Sequence, residues 1–373
     1  IVVPLVFSSL AVGVANLGSA GHVGRLGWRL GLYYVGTTMV AVCIGQILVT
    51  SIEPGAGLSS GYIEESRAGL ANQVSGLMVK SSQVGTSLWP GIISAIVPKN
   101  MIMALAEGKM LAVIFLGLLF GIGLLSVEKE KAEPTLKVLG AITDVTITVV
   151  GWIMKIAPVA VAALILRAVS GFGVSIMVNV LTYMGVVIAG LATQFCITYP
   201  LILKFLVGYK FTNFIPRALP VYATAFSTSS SSATMPTTIH VAQKNFGVPE
   251  SVATFSIPIG TTVNMDGTAL FEGVAALFIA QVFGVEITLA GQVTLLMLVL
   301  LTSIGVAGVP GGSIPILMSA MATLGIPPEG IALILGVDRL LDMARTAVNA
   351  TGDLIGSMYL ARVEGAKLQG GSS

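Results

Sequence analysis

An apolar segment near the C-terminus contains the side chains whose types and spacing could do the most unusual chemistry. Residues 331–360 are long enough to span a bilayer. The segment nevertheless contains five polar residues, which are Asp338, Asp342, Arg345, Asn349 and Asp353. Their spacing keeps all five on one face of a helix. Because each charge at the bilayer centre costs roughly 2.5–3.5 kcal/mol, such a stripe needs partners.

The acidic groups on this face outnumber the basic ones, and bound cations could balance the surplus. Arg345 is the only cation on the face, and its planar guanidinium suits a carboxylate. A purely structural alternative stays open, in which Asp342 and Arg345 neutralise each other one helical turn apart. We expect Arg339, which follows Asp338 near the helix start, to face water or lipid headgroups.

A second polar motif places an amide, a carboxylate and a hydroxyl close together in sequence. The motif is Asn264-Met265-Asp266-Gly267-Thr268. Oxygen-rich clusters with unwound carbonyl groups bind hard monovalent cations, which have no use for imidazole or thiolate. The alternative is a polar kink that only forms hydrogen bonds with neighbouring helices.

Glu272 follows the same motif in the same apolar segment, with no cation near it in sequence. It lies six residues after Asp266, a rotation of about 600°, so it should face away from the Asp266 cluster. A carboxyl that takes up a proton there could cross the bilayer neutral and act as a proton carrier. A permanently protonated and inert carboxyl is the alternative.

The composition indicates the environment of these motifs. Of 373 residues, 55% are hydrophobic and only 10% are charged, whereas soluble domains are nearer a quarter charged. Mean hydropathy is +0.94. A water-soluble fold cannot bury that much apolar surface, so we predict a multi-spanning membrane protein in contact with lipid. The net charge of +2 comes without a basic run, which argues against a nucleic-acid partner.

The remaining chemistry gives little support to an enzyme. The two histidines, His22 and His240, lie near predicted membrane boundaries, and the GxSxG, HExxH and GxxxxGK[ST] motifs are absent from the sequence. The two cysteines, Cys43 and Cys196, form neither a CxxC pair nor a disulfide framework. We therefore predict a protein that is not an enzyme and has no cofactor other than coupling ions.

Long windows without charge mark the helices that must position the polar groups. Two of these windows, 218–243 and 287–328, are interrupted by a serine cluster and by a glycine- and proline-rich tract. Broken backbone at membrane depth is tolerated where protein buries it or where it lines a water-filled site. Since each break precedes a polar motif, we predict an all-α membrane protein with two re-entrant helical hairpins in an inverted repeat. Two kinked crossing helices are the alternative.

The distribution of basic residues predicts the orientation. Clusters around Arg25, Lys129, Lys204 and Arg362 fit the cytoplasmic side under the positive-inside rule. The C-terminus is then cytoplasmic, in a multi-pass protein of the cell membrane. The chain begins inside an apolar pattern without an initiator methionine, so we expect a missing N-terminal segment.

Four segments, STSSSSATMP, NMDGTALFEG, SIGVAGVPGG and DMARTAVNATGD, carry a specific resemblance. In this order they resemble motifs of the glutamate/aspartate transporter family, the dicarboxylate/amino acid:cation symporters related to the excitatory amino acid transporters. The similarity extends through nearly the whole chain. It implies that the first transmembrane helix of the family is absent and that the chain begins in the second.

The resemblance implies a homotrimer in which a scaffold stays fixed while a transport domain moves across the bilayer by an elevator mechanism. The scaffold would comprise the helix at 1–26 and the external loop and helices at 53–168. The transport domain would comprise the helix at 27–52, the helix and loop at 169–214, re-entrant hairpin 1 at 215–249, the broken NMDGT helix at 250–284, re-entrant hairpin 2 at 285–328 and the last helix at 329–366. The hairpins would act as gates.

The resemblance also assigns residues to binding sites. The substrate site would contain Ser229, Ser230, Ser231, Met265, Thr268, Val309, Gly311, Ser313, Asp342, Arg345, Thr346 and Asn349. Asp342 would bind the substrate ammonium, Arg345 its side-chain carboxylate and Asn349 its α-carboxylate. One Na⁺ site would use Tyr34, Thr37, Thr38, Asn264 and Asp266, and another would use Gly260, Asn264, Asn349 and Asp353. A third would use Thr262 with the carbonyl groups of Ser303, Ile304 and Val306.

These assignments lead us to expect an importer of acidic amino acids, L-glutamate or L-aspartate, driven by Na⁺, H⁺ or both. Glu272 matches the family position that resembles a proton carrier, and K⁺ counter-transport is a further expectation. Two departures bear on the charge balance, because animal members have a second arginine at Met343 and archaeal members an arginine at Ser229. A C4-dicarboxylate symporter and a channel-like anion conductor are the alternatives. Succinate has no ammonium for Asp342, which favours the amino acid.

Overall fold

The structure is a computed structural model, and it describes residues 2–15, 20–56, 97, 100–107, 110–154, 177–303 and 313–370. Every regular element in these ranges is helical, which confirms the predicted all-α class. Most of the predicted external loop and the glycine- and proline-rich tract at 304–312 lie outside the described ranges.

The helices follow one another with short connections. The first part of the chain forms α1 (Val2–Ala15), α2 (Ala20–Ile52), α3 (Met101–Ala106), α4 (Met110–Leu125) and α5 (Lys129–Met154). Helix α6 (Met177–Thr193) continues through a π-helical segment (Gln194–Thr198), α7 (Tyr199–Ile202) and a second π-helical segment (Leu203–Val207). The rest forms α8 (Phe211–Thr228), α9 (Ser231–Phe246), α10 (Glu250–Val263), α11 (Asp266–Val282), α12 (Leu289–Ser303), α13 (Ile314–Thr323), a 3-10 turn (Pro328–Ile331) and α14 (Ala332–Val363).

Three runs among the described helices are long and apolar enough to cross a membrane: Gly24–Ile52, Val178–Val207 and Glu250–Val282. They differ in how much of their surface the protein covers. Protein buries 94% of the most apolar window of the third run, but only 39% of the corresponding windows of the first two. The third run therefore lies at the centre of the molecule, while the other two present apolar faces that lipid can cover.

Helix breaks occur at two of the predicted positions. Helix α8 ends at Thr228, and Ser229 adopts a left-handed conformation with φ of 51° before α9 begins. The Ser230 side chain then caps α9 by accepting a hydrogen bond from the Ala233 amide at 3.1 Å. Helices α8 and α9 pack against each other, so the serine cluster forms the tip of a helical pair. That this pair is re-entrant stays a prediction.

The second break separates α10 from α11. Asn264 and Met265 have non-helical backbone angles, and α11 restarts at Asp266. The NMDGT motif therefore interrupts the buried run at its middle, as its composition predicted. Helix α14 packs beside this break and also contacts α6, α8 and α9, which makes it the element shared by all the polar clusters.

Glycines allow α11 to approach its neighbours closely. A Cβ atom on Gly45 of α2 would lie 2.9 Å from Val274 Cγ2 and 3.0 Å from the Leu270 carbonyl oxygen of α11. A Cβ atom on Gly190 of α6 would lie 3.0 Å from Leu270 Cδ2 on the same helix. Small residues at both contacts let three backbones approach one another, as is common between membrane helices.

We predict that Gly45→Ala lowers the thermal stability of the protein, whereas Gly36→Ala on the same helix does not. Alanine is favoured over glycine in a helix by about 0.8–1 kcal/mol, so both variants share this gain. Only the Cβ at position 45 meets α11, since nothing lies within 4 Å of one at Gly36. Overpacking at this contact should cost about 1–3 kcal/mol.

Melting temperatures of both variants in one detergent provide the measurement. Gly36→Ala should melt at or above the parent protein and Gly45→Ala clearly below it. Equal melting temperatures would contradict the close packing of α2 on α11.

Candidate functional site

Asp266 is the centre of the first buried polar cluster. Its Oδ1 atom accepts hydrogen bonds from Thr38 Oγ1 at 2.7 Å and from Thr37 Oγ1 at 3.1 Å. Its Oδ2 atom accepts from Gln194 Nε2 at 3.0 Å and from the Tyr199 hydroxyl at 3.1 Å. Neutral donors from three separate elements thus surround a carboxylate that is fully removed from solvent.

Local backbone irregularities bring these groups together. The break before α11 makes Asp266 the first residue of that helix, where the helix dipole favours a negative charge. Gln194 begins a π-helical segment, and Tyr199 follows that segment directly. A π-turn changes the register of a helix, and such turns are frequent at functional sites.

A second polar network connects α10, α11 and α14. Asn264 Nδ2 donates to Asp353 Oδ1 at 3.0 Å and approaches the Asn349 carbonyl oxygen at 3.4 Å. Asn349 Oδ1 accepts from the Gly267 amide at 2.7 Å, and Asn349 Nδ2 donates to Thr268 Oγ1 at 3.0 Å. Asn349 therefore holds the first turn of α11 to the last helix.

Close backbone approach gives this network its compactness. A Cβ atom on Gly352 would lie 2.5 Å from Asn264 Nδ2 and 2.6 Å from the Tyr199 hydroxyl oxygen. On Gly260 it would lie 2.6 Å from both Asp353 Oδ1 and the Tyr34 hydroxyl oxygen. Any side chain at these two positions would enter the space occupied by the oxygen and nitrogen atoms of the clusters.

The two clusters together can attract a hard cation. Asp266 and Asp353 are both buried, and the hydrogen bonds found to their carboxylates come from hydroxyl and amide groups, which leave the negative charge uncompensated. Isolated buried charges are strongly unfavourable, so a cation or a proton must balance them. Within the described ranges, no group of three or more histidine, cysteine, aspartate or glutamate residues could hold a transition metal.

The third cluster joins acid to base on α14. Arg345 Nε donates to Asp342 Oδ1 at 2.8 Å, and Arg345 Nη1 donates to Asp338 Oδ1 at 3.0 Å. The guanidinium also stacks on the Phe271 ring of α11, with Cζ 4.1 Å from the ring centroid. The ion pair of Asp342 and Arg345 that the sequence offered as a structural alternative is therefore present in this structure.

Glu272 is buried beside this cluster. Neither of its carboxyl oxygens has a hydrogen-bond partner among the described residues. The sequence suggested no nearby cation, but Arg345 contacts the adjacent Phe271 and lies within electrostatic range of Glu272. Folding thus brings the glutamate close to a guanidinium that is distant in sequence.

The serine tip contributes further polar groups. Ser229, Ser230 and Ser231 are all buried, and the Ser229 hydroxyl has no hydrogen-bond partner within the described part of the chain. The Ser313 hydroxyl, at the start of α13, is equally buried and lacks a partner there. Met265 and Thr346 are buried as well.

Several predicted site residues are placed elsewhere or fall outside the described ranges. The Tyr34 hydroxyl donates to the Ser256 carbonyl at 3.2 Å and lies beside Gly260, whereas its backbone carbonyl accepts from Thr37 Oγ1. Thr262 and Ser303 are buried. The predicted residues Ile304, Val306, Val309 and Gly311 lie outside the described residues.

Sequence reasoning missed two members of the Asp266 cluster, Gln194 and Tyr199. Both belong to the apolar run Val178–Val207, in which an amide and a phenol five residues apart stand out as polar groups. Their spacing does not place them on one face of a regular α-helix. Only the π-helical segment between them aligns both side chains on the same carboxylate.

Comparisons with known proteins agree with a transport site. A sequence model described as the sodium:dicarboxylate symporter family matches residues 1–363. The proton/sodium-glutamate symport protein of Bacillus subtilis (strain 168) is 36% identical over 365 residues, which cover 98% of this chain and 83% of that protein.

Two further relatives differ in their named substrates. The proton/glutamate-aspartate symporter of Escherichia coli (strain K12) is 34% identical over 374 residues, covering 98% of this chain and 82% of that protein. The C4-dicarboxylate transport protein of Bacillus subtilis (strain 168) is 30% identical over 365 residues, covering 98% and 84%.

We predict that Asp266→Asn abolishes stabilisation of the purified protein by Na⁺. A cation that binds only the folded state adds about 2.7 kcal/mol at a hundredfold excess over its dissociation constant. The asparagine preserves the shape of the side chain but removes the charge that the cation would balance.

The measurement is the melting temperature as a function of Na⁺ concentration, with choline as the replacement cation. Asp144→Asn on α5 provides the control, since it removes an exposed carboxylate and should respond to Na⁺ like the parent protein. An undiminished response of Asp266→Asn would place the cation site elsewhere.

Proposed function

The chain belongs to the sodium:dicarboxylate symporter family, and we propose that it imports L-glutamate or L-aspartate by secondary active symport with Na⁺, H⁺ or both. It is a multi-pass membrane transporter and not an enzyme. The named relatives that it resembles include proton- and sodium-coupled glutamate symporters, which supports the proposed substrate and the coupling ions.

One observation carries the substrate assignment: a buried guanidinium and a buried carboxylate lie side by side at Arg345 and Asp342. An acidic amino acid presents the complementary pair, a side-chain carboxylate and an ammonium. The substrate would therefore exchange one ion pair for two, with its carboxylate on Arg345 and its ammonium on Asp342. Bidentate pairing of arginine with a carboxylate supplies both strength and orientation.

The remaining predicted substrate ligands are proposed around this pair. Asn349 would bind the α-carboxylate, and its contacts with Gly267 and Thr268 hold its amide in a fixed orientation. The unpartnered buried hydroxyls of Ser229 and Ser313 would face the substrate from the two helical tips. The other proposed ligands are Ser230, Ser231, Met265, Thr268, Val309, Gly311 and Thr346.

The coupling cations are proposed at the uncompensated carboxylates. One Na⁺ would bind with Asp266, Thr37, Thr38, Asn264 and Tyr34, and a second with Asp353, Asn264, Asn349 and Gly260. A third would bind Thr262 with the carbonyl groups of Ser303, Ile304 and Val306. The neutral donors around Asp266 support the first assignment, because cation entry would require only hydroxyl and amide groups to turn.

The transport mechanism is proposed from the family. A homotrimer with a fixed scaffold and a sliding transport domain would give an elevator, with two re-entrant hairpins as gates and a cytoplasmic C-terminus. The tip between α8 and α9 supports the first hairpin, since two short helices of different amphipathic faces meet there at buried serines. K⁺ counter-transport is proposed only as a variation of this cycle.

A C4-dicarboxylate symporter is the second candidate. The C4-dicarboxylate transport protein of Bacillus subtilis (strain 168) resembles this chain over nearly its full length. Asp342 argues for the amino acid, because a buried aspartate in the substrate site would repel a substrate that lacks an ammonium.

Uptake by proteoliposomes tests the proposed function. We expect L-aspartate or L-glutamate to accumulate above its external concentration when an inward Na⁺ or H⁺ gradient is imposed, and to leak out when the gradient is removed. Accumulation of succinate alone would favour the second candidate. Equilibration without accumulation would favour a channel-like conductor and overturn the proposal.

We predict that Arg345→Cys abolishes uptake of L-aspartate and admits small neutral amino acids such as L-serine. Loss of a charged hydrogen-bonding partner inside a binding site typically costs 2–5 kcal/mol, or at least about thirtyfold in affinity. Arg345→Lys, which keeps the charge without the planar fork, should lose less. Competition binding with L-aspartate and L-serine measures both effects, and unchanged L-aspartate affinity in Arg345→Cys would refute the assignment.

We predict that Glu272→Gln keeps substrate binding but makes transport insensitive to pH. Glutamine resembles the protonated carboxyl and cannot exchange a proton, so a proton-coupled step would lose its titrating group. Glu286→Gln, which changes an exposed carboxyl after the same helix, is the matched control. Uptake is measured from acidic to mildly alkaline pH, and identical pH profiles for the parent and Glu272→Gln would dismiss the proton-carrier role.

A further inference from the structure

Arg339 is a second guanidinium close to the proposed substrate site. It lies on α14 between Asp338 and Leu340, and only 14% of its side chain is exposed. The expectation that it faces water or lipid headgroups is therefore wrong. Burial of an arginine at this depth is unfavourable unless a negative charge lies near it.

The negative charge nearest to Arg339 belongs to Asp342. Arg339 Nη1 lies 3.9 Å from Asp342 Oδ2, a distance too long for a hydrogen bond but short enough for strong attraction. The Nε and Nη1 atoms of Arg339 have no hydrogen-bond acceptor among the described residues. The other oxygen of Asp342 accepts from Arg345. The carboxylate that would receive the substrate ammonium thus lies between two guanidinium groups.

Charge counting gives this arrangement a consequence. With Arg339 included, the cluster contains two carboxylates, at Asp338 and Asp342, and two guanidinium groups. The cluster is neutral, whereas the sequence pattern suggested surplus acid on this face. Without Arg339 it would carry a net negative charge and repel an anionic substrate.

We propose that Arg339 is a specificity-determining residue that acts through Asp342 and widens the substrate range to C4 dicarboxylates without an ammonium. By neutralising Asp342 in part, it reduces the repulsion between that carboxylate and a succinate-type dianion. This inference rests on the proposed function and deepens it. It predicts that one site binds both classes of substrate that the relatives' names divide between them.

The effect of removing this charge should grow with the negative charge of the ligand. Succinate is a dianion and L-aspartate a monoanion at neutral pH, and L-aspartate also gains from a more exposed negative charge on Asp342. At an effective dielectric constant of about 20, one nearby charge changes affinity by about tenfold for each unit of ligand charge. Loss of Arg339 should therefore raise the dissociation constant of succinate at least about tenfold more than that of L-aspartate.

Competition against radiolabelled L-aspartate, with the full-length purified chain in detergent, tests the proposal. Succinate should compete in the parent protein. Arg339→Gln should raise the ratio of the succinate to the L-aspartate dissociation constant about tenfold, and Arg339→Lys should preserve it. If Arg339→Gln does not fold, Arg339→Met removes the same charge with an apolar side chain of similar length.

Arg362→Gln is the matched control. It removes the same charge from the same helix at an exposed position about 35 Å away and should leave the ratio unchanged. Absence of succinate competition in the parent protein would overturn the proposal, as would an equal loss of both ligands in the neutral Arg339 variant, which would indicate a purely structural role. Failure of the proposed function would differ, because the parent protein would then bind neither L-aspartate nor L-glutamate.

Discussion

The uncompensated charge of two buried carboxylates is the constraint on which the rest of the structure depends. Asp266 and Asp353 lie inside a helical bundle and are bound by neutral donors alone. Holding them there requires the broken helix at Asn264, the glycines that let backbones approach, and the π-helical turn that presents Gln194. Each of these features weakens a regular helix, so all of them are expected only where a ligand repays the loss of regularity.

Helix α14 links this acidic region to the balanced cluster around Arg345. Both clusters use the same face of that helix, and Asn349 lies between them in sequence. Its side chain joins Gly267 and Thr268, and its carbonyl oxygen lies near Asn264. A cation that reoriented Asn264 would therefore act on the residue proposed to bind the substrate α-carboxylate. Such a shared residue is a physical route for coupling between cation and substrate.

Much of this arrangement could be predicted from the sequence, because helical periodicity is a local property. The polar face of α14, the break at Asn264 and the break at Ser229 all follow from residue types at fixed spacing. Gln194 was missed since a π-turn alters the register that periodicity assumes. The environment of Arg339 was predicted wrongly, because neighbouring helices and not its own helix determine its burial.

The linkage between cation and substrate binding tests the central claim most directly. We would measure the affinity of the purified protein for L-aspartate over a wide range of Na⁺ concentration at several fixed pH values. If cations or protons balance the buried carboxylates and Asn349 couples the sites, affinity should rise at least about tenfold with Na⁺ or with acidification. An L-aspartate affinity that depends on neither ion would contradict the account.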